Sequence, residues 1–356
     1  MQILYDAHIF LNQKTGGVSR YHYELLKGMQ QLGCCAKATG LFIRNQYLLA
    51  DKTFRKSYVR DPFIAFQFVN DFLLKRNVQK LTDHAVFHPA MAYEFLNDEI
   101  PQVKNLTFTI HDMIMEKQNI DFGKNKLYYV QHAKKIIAVS QATKNDIIDL
   151  FGVDSHKIEV IYHGSSLNVQ MAIKPDIPIP EQFLLYVGER RGYKNFDGFI
   201  RAVAPLLKKY SDLYLLCVGK NPFNSQEISV LKTLKINNKV ISLTKINDHV
   251  LAYIYCKAKA FVFPSLAEGF GIPILEAWAC NTPVILSDIA CFREVAADAG
   301  CYFDPLLQDS MNNEIDKVLN DNVLRNDLIQ KGTSRLRLFS WDKTIEQTYK
   351  LYLSFL

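Results

Sequence analysis

The chain has 356 residues, of which 49% are hydrophobic, and it carries a formal net charge of +6. This length predicts two domains with substantial cores, and no apolar run reaches the about 18 residues that a membrane-spanning helix requires. Residues 1–10 lack the basic start and long apolar core of a secretory signal, so we expect the protein to stay in the cytoplasm.

Neither the cysteines nor the basic residues are grouped in a way that indicates a metal site or a nucleic-acid site. The seven cysteines lie mostly within apolar runs, and the sequence contains no C-x-x-C pair and no H-E-x-x-H motif. We therefore expect small core cysteines and no zinc site. No arginine-rich block or aromatic-basic motif argues for nucleic acid, whereas the modest positive charge suits an acidic membrane surface or a phosphorylated substrate.

The first predicted strand covers residues 1–7, and a glycine-rich loop and an amphipathic helix follow it. The loop contains Gly16 and Gly17 and reads GGVSRY. In open α/β sheets, ligands bind beyond the carboxyl ends of the strands, where a loop of this kind exposes its N–H groups. A Gly-Gly pair is also common in ordinary turns, so this loop alone is weak evidence for a binding site.

Residues 41–80 interleave basic and aromatic side chains without a regular period. The basic ones are Lys52, Arg55, Lys56, Arg60, Lys75 and Arg76, and the aromatic ones are Phe54, Tyr58, Phe63, Phe66, Phe68 and Phe72. Such a segment is typical of a surface that contacts an anionic membrane or an acceptor. The alternative is that the aromatic rings pack inward while the basic side chains are solvated.

Two further strands are predicted at residues 84–88 and 106–110, and the second ends in His111 and Asp112. A polar pair at the carboxyl end of a strand lies on the ligand side of a parallel sheet. An imidazole there can donate a hydrogen bond to a sugar hydroxyl or to a developing oxyanion. Because a lone histidine is more often structural, we assign a structural role to His88.

The end of the first alternation of strands and helices is predicted from a capped helix and a proline cluster. Residues 135–139 form a strand, Ser140 caps the next helix, Gly152 stops it, and residues 158–162 form a last strand. The periodicity then disappears, and a cluster of prolines over residues 175–180 indicates a linker.

A second alternation begins with a predicted strand at residues 183–187, a turn at Gly188 and a helix that follows Asn195 and runs through residue 210. Arg190, Arg191 and Lys194 therefore lie in a strand-to-helix loop. Cationic side chains beside a helix N-terminus can clamp a diphosphate, although an exposed basic turn has the same composition. Strands at 213–218 and 240–243 and a helix at 250–258 continue the pattern.

The stretch 264–288 has the strongest functional pattern in the chain. A strand ends in a loop with Gly269 and Gly271, and Pro273 then starts a helix whose first N–H groups form a positive end that suits an anion or sugar oxygens. Glu268 and Glu276 bracket this helix start. One carboxylate can accept hydrogen bonds from a vicinal diol such as ribose, and the other can stabilise positive charge at a reacting sugar carbon.

The remainder of the chain is predicted to be mostly helical, with a helix at 293–297, a strand at 301–303 and a terminal amphipathic helix at 341–356. Two successive alternations joined by a proline-rich linker predict an α/β protein with two doubly wound domains. Neither half contains a G-x-G-x-x-G fingerprint or a P-loop, which disfavours hydride transfer and ATPase chemistry.

The stretch from residue 268 to residue 285 resembles the donor-site signature of retaining glycosyltransferases of family 4. The matching residues are Glu268, Gly269, Phe270, Gly271, Pro273, Glu276, Ala277, Pro283, Val284 and Ile285. Asn281 stands where the family usually has glycine, and asparagine also tolerates the left-handed conformation that ends a helix. The glycine pair before Val18, the His-Asp pair and the lysine before Asn195 match further elements of the family.

The resemblance implies the GT-B fold, an α/β architecture in which two doubly wound Rossmann-like domains face each other across a cleft. The implied boundaries are an acceptor-side domain at 1–165, a linker at 166–182, a nucleotide-sugar donor domain at 183–340 and a C-terminal helix at 341–356 that returns to the first domain.

The resemblance also implies roles for individual residues. The implied catalytic residues are Glu268, His111, Lys194 and Arg190; the implied donor-binding residues are Gly16, Gly17, Gly188, Phe270, Gly271, Ile272 and Glu276; and Asp112 lies toward the acceptor. The family often has arginine directly after the first glycine of the 188 loop, where this chain has Glu189. Arg190 and Arg191 are therefore both candidates for the second phosphate cation.

The implied function is the transfer of a sugar, with retention of anomeric configuration, from a nucleoside diphosphate sugar to a carbohydrate or lipid-linked glycan acceptor in surface-polysaccharide synthesis. Without an Asp-x-Asp motif, lysine, arginine and backbone dipoles would carry the leaving charge, so neither a metal nor a cofactor is expected. The alternatives are a nucleotide-sugar epimerase, a phosphorylase and a non-catalytic nucleotide-sugar-binding protein. We expect no nucleic-acid partner, and peripheral contact with the inner face of the membrane stays open.

Overall fold

The computed structural model describes residues 1–61, 63–118, 123–190 and 192–355, so Arg191 lies outside the described residues. The chain divides into two compact units, Met1–His163 together with Trp341–Leu356, and Gly164–Ser340. In both units the central strands are buried and pair in parallel, which is the arrangement found when helices cover both faces of a sheet.

The sheet of the first unit directs several predicted site residues to one edge. Its strands are β1 (Gln2–Asp6), β2 (Cys35–Thr39), β3 (Phe42–Ile43), β4 (Val59–Arg60), β5 (Ala85–Phe87), β6 (Thr107–Ile110), β7 (Lys135–Ala138) and β8 (Ile158–Val160). They pair as β2-β1-β5, β6-β7-β8 and β3-β4, and a parallel bridge between Phe87 and Leu106 joins the first two groups. Because all these pairs are parallel, the carboxyl ends of β1 and β6 lie at the same edge.

Helices cover this sheet and bring the end of the chain back to its beginning. They are α1 (His8–Asn12), α2 (Gly17–Gln31), α3 (Gln46–Ala50), α4 (Lys52–Arg55), α5 (Gln67–Val78), α6 (Ile114–Lys117), α7 (Gly123–His132) and α8 (Gln141–Phe151). The C-terminal helix (Trp341–Leu353) packs so closely on α2 that a Cβ at Gly28 would lie 2.3 Å from Cδ1 of Ile345. As predicted, Ser140 caps α8, and Gly152 ends it with a φ of 64°.

The second unit has a six-stranded parallel sheet. Its strands are β9 (Gln182–Val187), β10 (Leu213–Val218), β11 (Val240–Leu243), β12 (Ala260–Phe263), β13 (Val284–Ser287) and β14 (Cys301–Phe303), in the order β11-β10-β9-β12-β13-β14. The chain thus builds outward from β9 in one direction and then continues from β12 in the other. Ligands of such doubly wound sheets bind at the point where the order reverses, which here lies between β9 and β12.

The helices of the second unit pack on both faces of this sheet. They are α9 (Phe196–Lys209), α10 (Ser225–Thr233), α11 (Asp248–Lys257), α12 (Ile272–Ala279), α13 (Ala290–Ala296), α14 (Gln308–Asn320) and α15 (Asn322–Leu336). The fully buried ring of Trp278 on α12 lies against Gly332 on α15, where a Cβ would come within 2.3 Å of the ring. This contact fixes the helix that carries Glu276 against the outer layer of the unit.

Three helix starts differ from the sequence prediction, the first being that of α11, which begins at Asp248 rather than at residue 250. Helix α12 begins at Ile272, so Pro273 occupies its second position rather than its first, because Gly271 adopts a φ of 100° and ends the preceding loop. Helix α13 begins at Ala290 rather than at residue 293, and the backbone N–H of Arg293 already donates to the carbonyl of Ile289.

The aromatic residues of segment 41–80 divide into two groups, so the inward-packing alternative holds for some of the rings and not for others. Phe54 is buried, but Phe63, Phe68 and Phe72 are 85%, 66% and 62% exposed. Phe68 and Phe72 are exposed because of their position on α5. This helix buries Asn70, Leu74 and Val78, so the opposite face, which carries the two rings, points outward. No helix in the described part of the chain is both long and apolar enough to cross a membrane.

Candidate active site

Two loops leave the centre of the second sheet at its carboxyl edge and bring two predicted site residues together. One loop follows β9 and carries Lys194, and the other follows β12 and carries Glu268. The Nζ atom of Lys194 donates to Oε1 of Glu268 at 2.5 Å, although the residues are 74 positions apart. Their side chains are 17% and 12% exposed, so this ion pair is partly shielded from water.

Neighbouring groups fix the geometry of this pair. The hydroxyl of the buried Ser265 donates to Oε1 of Glu268 at 2.7 Å, and the N–H of Leu266 donates to the carbonyl of Tyr193 at 2.8 Å. The second bond ties the two loops together directly. The ammonium group of Lys194 also lies 5.6 Å from the ring centroid of Phe263, within the range of a cation–π contact.

The glycine-rich loop between Glu268 and α12 is shaped by tight packing. Gly271 has a φ of 100°, and a Cβ there would meet Cε1 of Phe292 at 3.0 Å, so both the backbone and the space favour glycine. Phe270 is buried, and its carbonyl accepts a bond from Sγ of Cys291 at 3.2 Å. The loop therefore holds the N-terminus of α12, with its partial positive charge, next to the Lys194–Glu268 pair.

Glu276 lies in the second turn of α12 and is oriented by a buried tyrosine. The hydroxyl of Tyr255 on α11 donates to Oε2 of Glu276 at 3.1 Å. The pKa of Tyr255 lies well above its ordinary value, mainly because the phenol is buried and secondly because of the negative charge of Glu276. The phenol therefore stays protonated. A fixed, partly exposed carboxylate of this kind is suited to accept hydrogen bonds from a diol.

Arg190 is engaged in a structural network rather than in the Lys194–Glu268 pair. Its Nε and Nη2 donate to the carboxylate of Glu227 at 2.7 and 3.3 Å, and Nη2 also donates to the carbonyls of Asn221 and Pro222. The side chain is only 6% exposed, and Glu227 itself closes a capping box on α10. Direct contact of Arg190 with a phosphate would require these bonds to be exchanged, so its geometry favours a role in fixing the loop. Gly188, at the start of this loop, has a φ of 143°.

In the first unit, the His111–Asp112 pair directly follows β6, whereas α1 separates the Gly16–Gly17 loop from β1, so the predicted succession of strand, glycine-rich loop and helix is interrupted by a short helix. The hydroxyl of Ser19 donates to the carbonyl of Gly16 at 3.0 Å, and α2 begins directly at Gly17. The side chain of Asp112 accepts a bond from the N–H of Ile114 at 3.2 Å, which closes an Asx turn just before α6. The predicted ligand contacts of these residues stay predictions.

His111 is held as a neutral imidazole. Its Nε2 is buried and has no hydrogen-bond partner among the described residues. The pKa of His111 lies well below its ordinary value, mainly because the ring is buried and secondly because of the charge interaction with the neighbouring His163. The ring of His163 stacks on it with centroids 5.6 Å apart, so His163 helps to set the position of a predicted catalytic group.

Sequence reasoning missed a chain of buried hydrogen bonds behind His111. The hydroxyl of Thr109 on β6 bonds with the hydroxyl of Tyr21 at 2.9 Å and with Nε2 of His88 at 2.8 Å. Nδ1 of His88 continues the chain to the hydroxyl of Tyr352 on the C-terminal helix, at 2.5 Å. His88 is therefore structural, as assigned. The chain links residues 264 positions apart, so no local pattern could have indicated it.

Two family models match the chain in succession. The model described as Glycosyltransferase Family 4 matches residues 15–168, and the model described as Glycosyl transferases group 1 matches residues 170–335. The first match contains the glycine pair and His111, and the second contains Lys194, Glu268 and Glu276.

Among curated proteins, this chain is similar to two bacterial O-antigen enzymes. It is 34% identical to the O-antigen chain mannosyltransferase RfbU of Salmonella typhimurium over 228 residues, which is 62% of each chain. It is 29% identical to the O-antigen chain mannosyltransferase B of Escherichia coli over 232 residues, which is 62% of this chain and 60% of the relative. The matches thus span about three fifths of the length of these relatives.

Solved structures share the fold over the whole chain. HepE of Anabaena, solved with UDP and glucose, aligns with a TM-score of 0.75 at 19% identity and covers 100% of both chains. The sucrose-phosphate synthase of Thermosynechococcus elongatus aligns with a TM-score of 0.74 at 19% identity and covers 99% of both. These neighbours have the GT-B fold, and the predicted class of two Rossmann-like α/β domains is confirmed.

Proposed function

We propose that this chain, which belongs to the glycosyltransferases of family 4 and group 1, transfers a sugar from a nucleoside diphosphate donor to a carbohydrate or lipid-linked glycan acceptor. The observation that carries the proposal is the Lys194–Glu268 pair at the reversal point of the second sheet, beside the N-terminus of α12. A cation, a helix dipole and a carboxylate at that point suit a diphosphate and the sugar attached to it.

Mannose is our proposal for the transferred sugar, and surface-polysaccharide synthesis is our proposal for the process. The support is the function of the two relatives, both of which are O-antigen mannosyltransferases. HepE was solved with UDP and glucose, so the base of the donor is best determined by direct screening.

We assign to Lys194 the role of stabilising the leaving diphosphate. As the bond between the sugar carbon and the phosphate oxygen breaks, negative charge grows on the diphosphate, and an ammonium group beside it lowers the barrier. In the structure this ammonium is paired with Glu268 at 2.5 Å. We infer that the diphosphate takes over the ammonium on binding, which releases the carboxylate of Glu268 to accept hydrogen bonds from the sugar hydroxyls.

The remaining roles follow from position on the second unit. Glu276, oriented by Tyr255, would accept hydrogen bonds from the ribose diol of the donor. The N–H groups at the start of α12 would face the diphosphate or the sugar. We propose that the charge is carried in this way without a divalent metal, and activity that is unchanged in excess EDTA is the expected result.

Retention of configuration is also part of the proposal and comes from the family resemblance. The acceptor hydroxyl would attack the anomeric carbon from the face that the diphosphate leaves. The carbon–phosphate-oxygen bond breaks, a bond from the carbon to the acceptor oxygen forms, and the acceptor proton passes to a phosphate oxygen. NMR of the product, read at the anomeric proton, tests this stereochemistry.

The first experiment is a donor screen followed by a turnover assay. Thermal shift with GDP, UDP and ADP identifies the base, since a ligand at 100 times its Kd stabilises the folded state by about 2.7 kcal/mol. The matching mannose donor is then incubated with and without lipid-linked acceptor. Diphosphate release that requires the acceptor supports transfer. Epimerised sugar from the donor alone would instead support an epimerase, and binding without release would support a non-catalytic protein.

A further inference from the structure

Residues 52–80 of the first unit carry four exposed phenylalanines and six exposed basic residues, and we call these side chains together the Phe-basic surface. Its apolar members are Phe63, Phe66, Phe68 and Phe72, which are 85%, 45%, 66% and 62% exposed. Its exposed basic members are Lys52, Arg55, Lys56, Arg60, Arg76 and Lys80. Large rings exposed this strongly and this close together are uncommon on a protein surface that contacts only water.

The rings are held in position by the fold and are not on a loose segment. The buried carboxylate of Asp61 accepts bonds from the N–H groups of Phe63 and Phe66, both at 3.0 Å. The ring of Phe66 stacks on Phe42 of β3, with centroids 4.7 Å apart, and lies 6.4 Å from the ring of Phe68. The surface is therefore continuous from the 63–66 turn onto α5.

Helix α5 adds a stripe that combines apolar and basic side chains. Phe68, Phe72 and Arg76 follow each other at intervals of four residues, so they lie on one face of the helix. The opposite face is anchored, because Asn70 is fully buried and its side-chain oxygen accepts bonds from the N–H groups of Leu41 and Phe42. The outward orientation of the stripe is thus fixed by bonds on the inner face.

The charge of this surface is strongly one-sided. Residues 52–80 contain seven basic and two acidic residues, a formal charge of +5, whereas the whole chain carries +6. Both acidic residues are engaged by groups of the protein, although the side chain of Asp71 is 34% exposed. Asp61 is 3% exposed, and Asp71 pairs with Nε2 of the buried His8 at 2.6 Å. Lys75 pairs with Glu99 at 3.2 Å, and the other basic side chains of the segment are left on the outside.

We propose that the Phe-basic surface binds the interface of an anionic lipid membrane, with the phenylalanines inserted among the acyl chains and the basic residues on the headgroups. Exposed rings flanked by lysine and arginine are the combination that interfacial binding requires. Each basic residue near an anionic membrane surface raises the partition coefficient of the protein by a factor of about five. A carbohydrate acceptor would offer hydroxyl groups and little negative charge, so it fits this surface less well. The binding stands apart from the proposed function, since it needs neither donor nor acceptor.

The test uses the full chain, without nucleotide, and flotation with vesicles of neutral phosphatidylcholine or of phosphatidylcholine with about a third of phosphatidylglycerol. We expect binding to the anionic vesicles that is at least about tenfold stronger than to the neutral ones and that weakens with salt. The triple variant Phe63→Ser, Phe68→Ser, Phe72→Ser should lose at least about twentyfold in partitioning. Its matched control is Leu306→Ser with Val323→Ser, because these side chains are 77% and 80% exposed in the second unit.

The charge contribution is tested separately. Arg60→Glu with Arg76→Glu should weaken binding to anionic vesicles by about a hundredfold, whereas Lys232→Glu with Lys257→Glu, which changes the net charge equally on the second unit, should have little effect. Equal losses in both charge variants would mean that only net charge matters and would overturn the proposal.

A direct reporter of insertion is available because both native tryptophans are buried, Trp278 being 1% and Trp341 8% exposed. A tryptophan introduced by Phe68→Trp should show a blue-shifted emission on anionic vesicles and should be quenched by brominated acyl chains. Absence of quenching would overturn insertion. Self-association that the triple variant abolishes, without vesicle binding, would instead assign the surface to a second copy of the chain, and retention on glycan alone would assign it to the acceptor.

Discussion

Replacing Lys194 by methionine separates the role of its charge from the role of its stem. Methionine keeps the unbranched side chain beside Phe263 but removes the ammonium that donates to Glu268 at 2.5 Å. If the ammonium stabilises the leaving diphosphate, its loss should reduce kcat by about 10²–10³-fold, or about 2.7–4 kcal/mol, the range measured when one stabilising donor is removed from an active site.

The same substitution should cost less in stability than in turnover. Breaking a fully buried ion pair costs about 3–5 kcal/mol, and breaking an exposed pair costs at most about 1 kcal/mol. The Lys194 and Glu268 side chains are 17% and 12% exposed, between these limits, and Glu268 keeps its bond from Ser265. We therefore expect a loss of about 2 kcal/mol in the free energy of unfolding.

A double-mutant cycle with Glu268→Gln distinguishes the two effects. In urea unfolding, the double variant should be more stable than the sum of the single variants, by about 1 kcal/mol, because neither partner is then left unpaired. In acceptor-dependent diphosphate release, the double variant should be no faster than the slower single variant, since each charge is required.

The matched control is Lys220→Met, because Lys220 follows β10 at the same sheet edge and pairs with Glu189 at 2.7 Å but is 51% exposed. Its turnover should change less than about threefold. The reasoning would be refuted if Lys194→Met kept more than a tenth of wild-type turnover, or if Lys220→Met lost as much activity as Lys194→Met.

Three further predictions concern stability. Gly332→Ala places a Cβ 2.3 Å from the ring of Trp278 and should cost at least about 1–3 kcal/mol in thermal unfolding. Burial lowers the pKa of His22 to about 4, so its stabilising contribution is complete above pH 6.5 and is lost as the pH falls toward 4; His22→Asn should reduce the pH slope of unfolding there by up to about 1.4 kcal/mol per unit. Tyr352→Phe removes the buried hydroxyl that bonds His88 and should cost about 1–3 kcal/mol.

Each of the three stability variants has a control substitution in the same chain. Gly192→Ala meets no atom within 4 Å, His132→Asn alters an exposed histidine, and Tyr349→Phe changes a partly buried tyrosine on the same helix as Tyr352. Full stability in Gly332→Ala, an unchanged acid slope in His22→Asn, or equal effects of the two tyrosine changes would contradict the corresponding contact.

The elements that carry the candidate site were largely predictable from local pattern. The strand that became Leu213–Val218 was predicted with its observed bounds, because a run of apolar residues bounded by turn residues leaves little alternative. The start of α12 was misplaced by one residue, since proline is compatible with both of the first two helical positions and the φ of Gly271 decides between them.

What the sequence could not provide was the pairing of side chains from distant positions. Lys194 and Glu268 were each predicted at the site, but their direct bond depends on the adjacency of β9 and β12. Arg190 looked like an available cation because its partner, Glu227, lies 37 positions later on another helix. The exposure of Phe68 and Phe72 likewise depends on Asn70, whose bonds to the 41–42 backbone select the inward face of α5.

The central claim is that Lys194 transfers its hydrogen bond from Glu268 to the diphosphate of the donor. A crystal structure of the full chain with the nucleoside diphosphate identified by the screen measures this directly. The account predicts that Nζ of Lys194 lies within about 3 Å of a diphosphate oxygen, next to the first turn of α12. A diphosphate bound elsewhere, with Lys194 still paired to Glu268 at 2.5 Å, would contradict it.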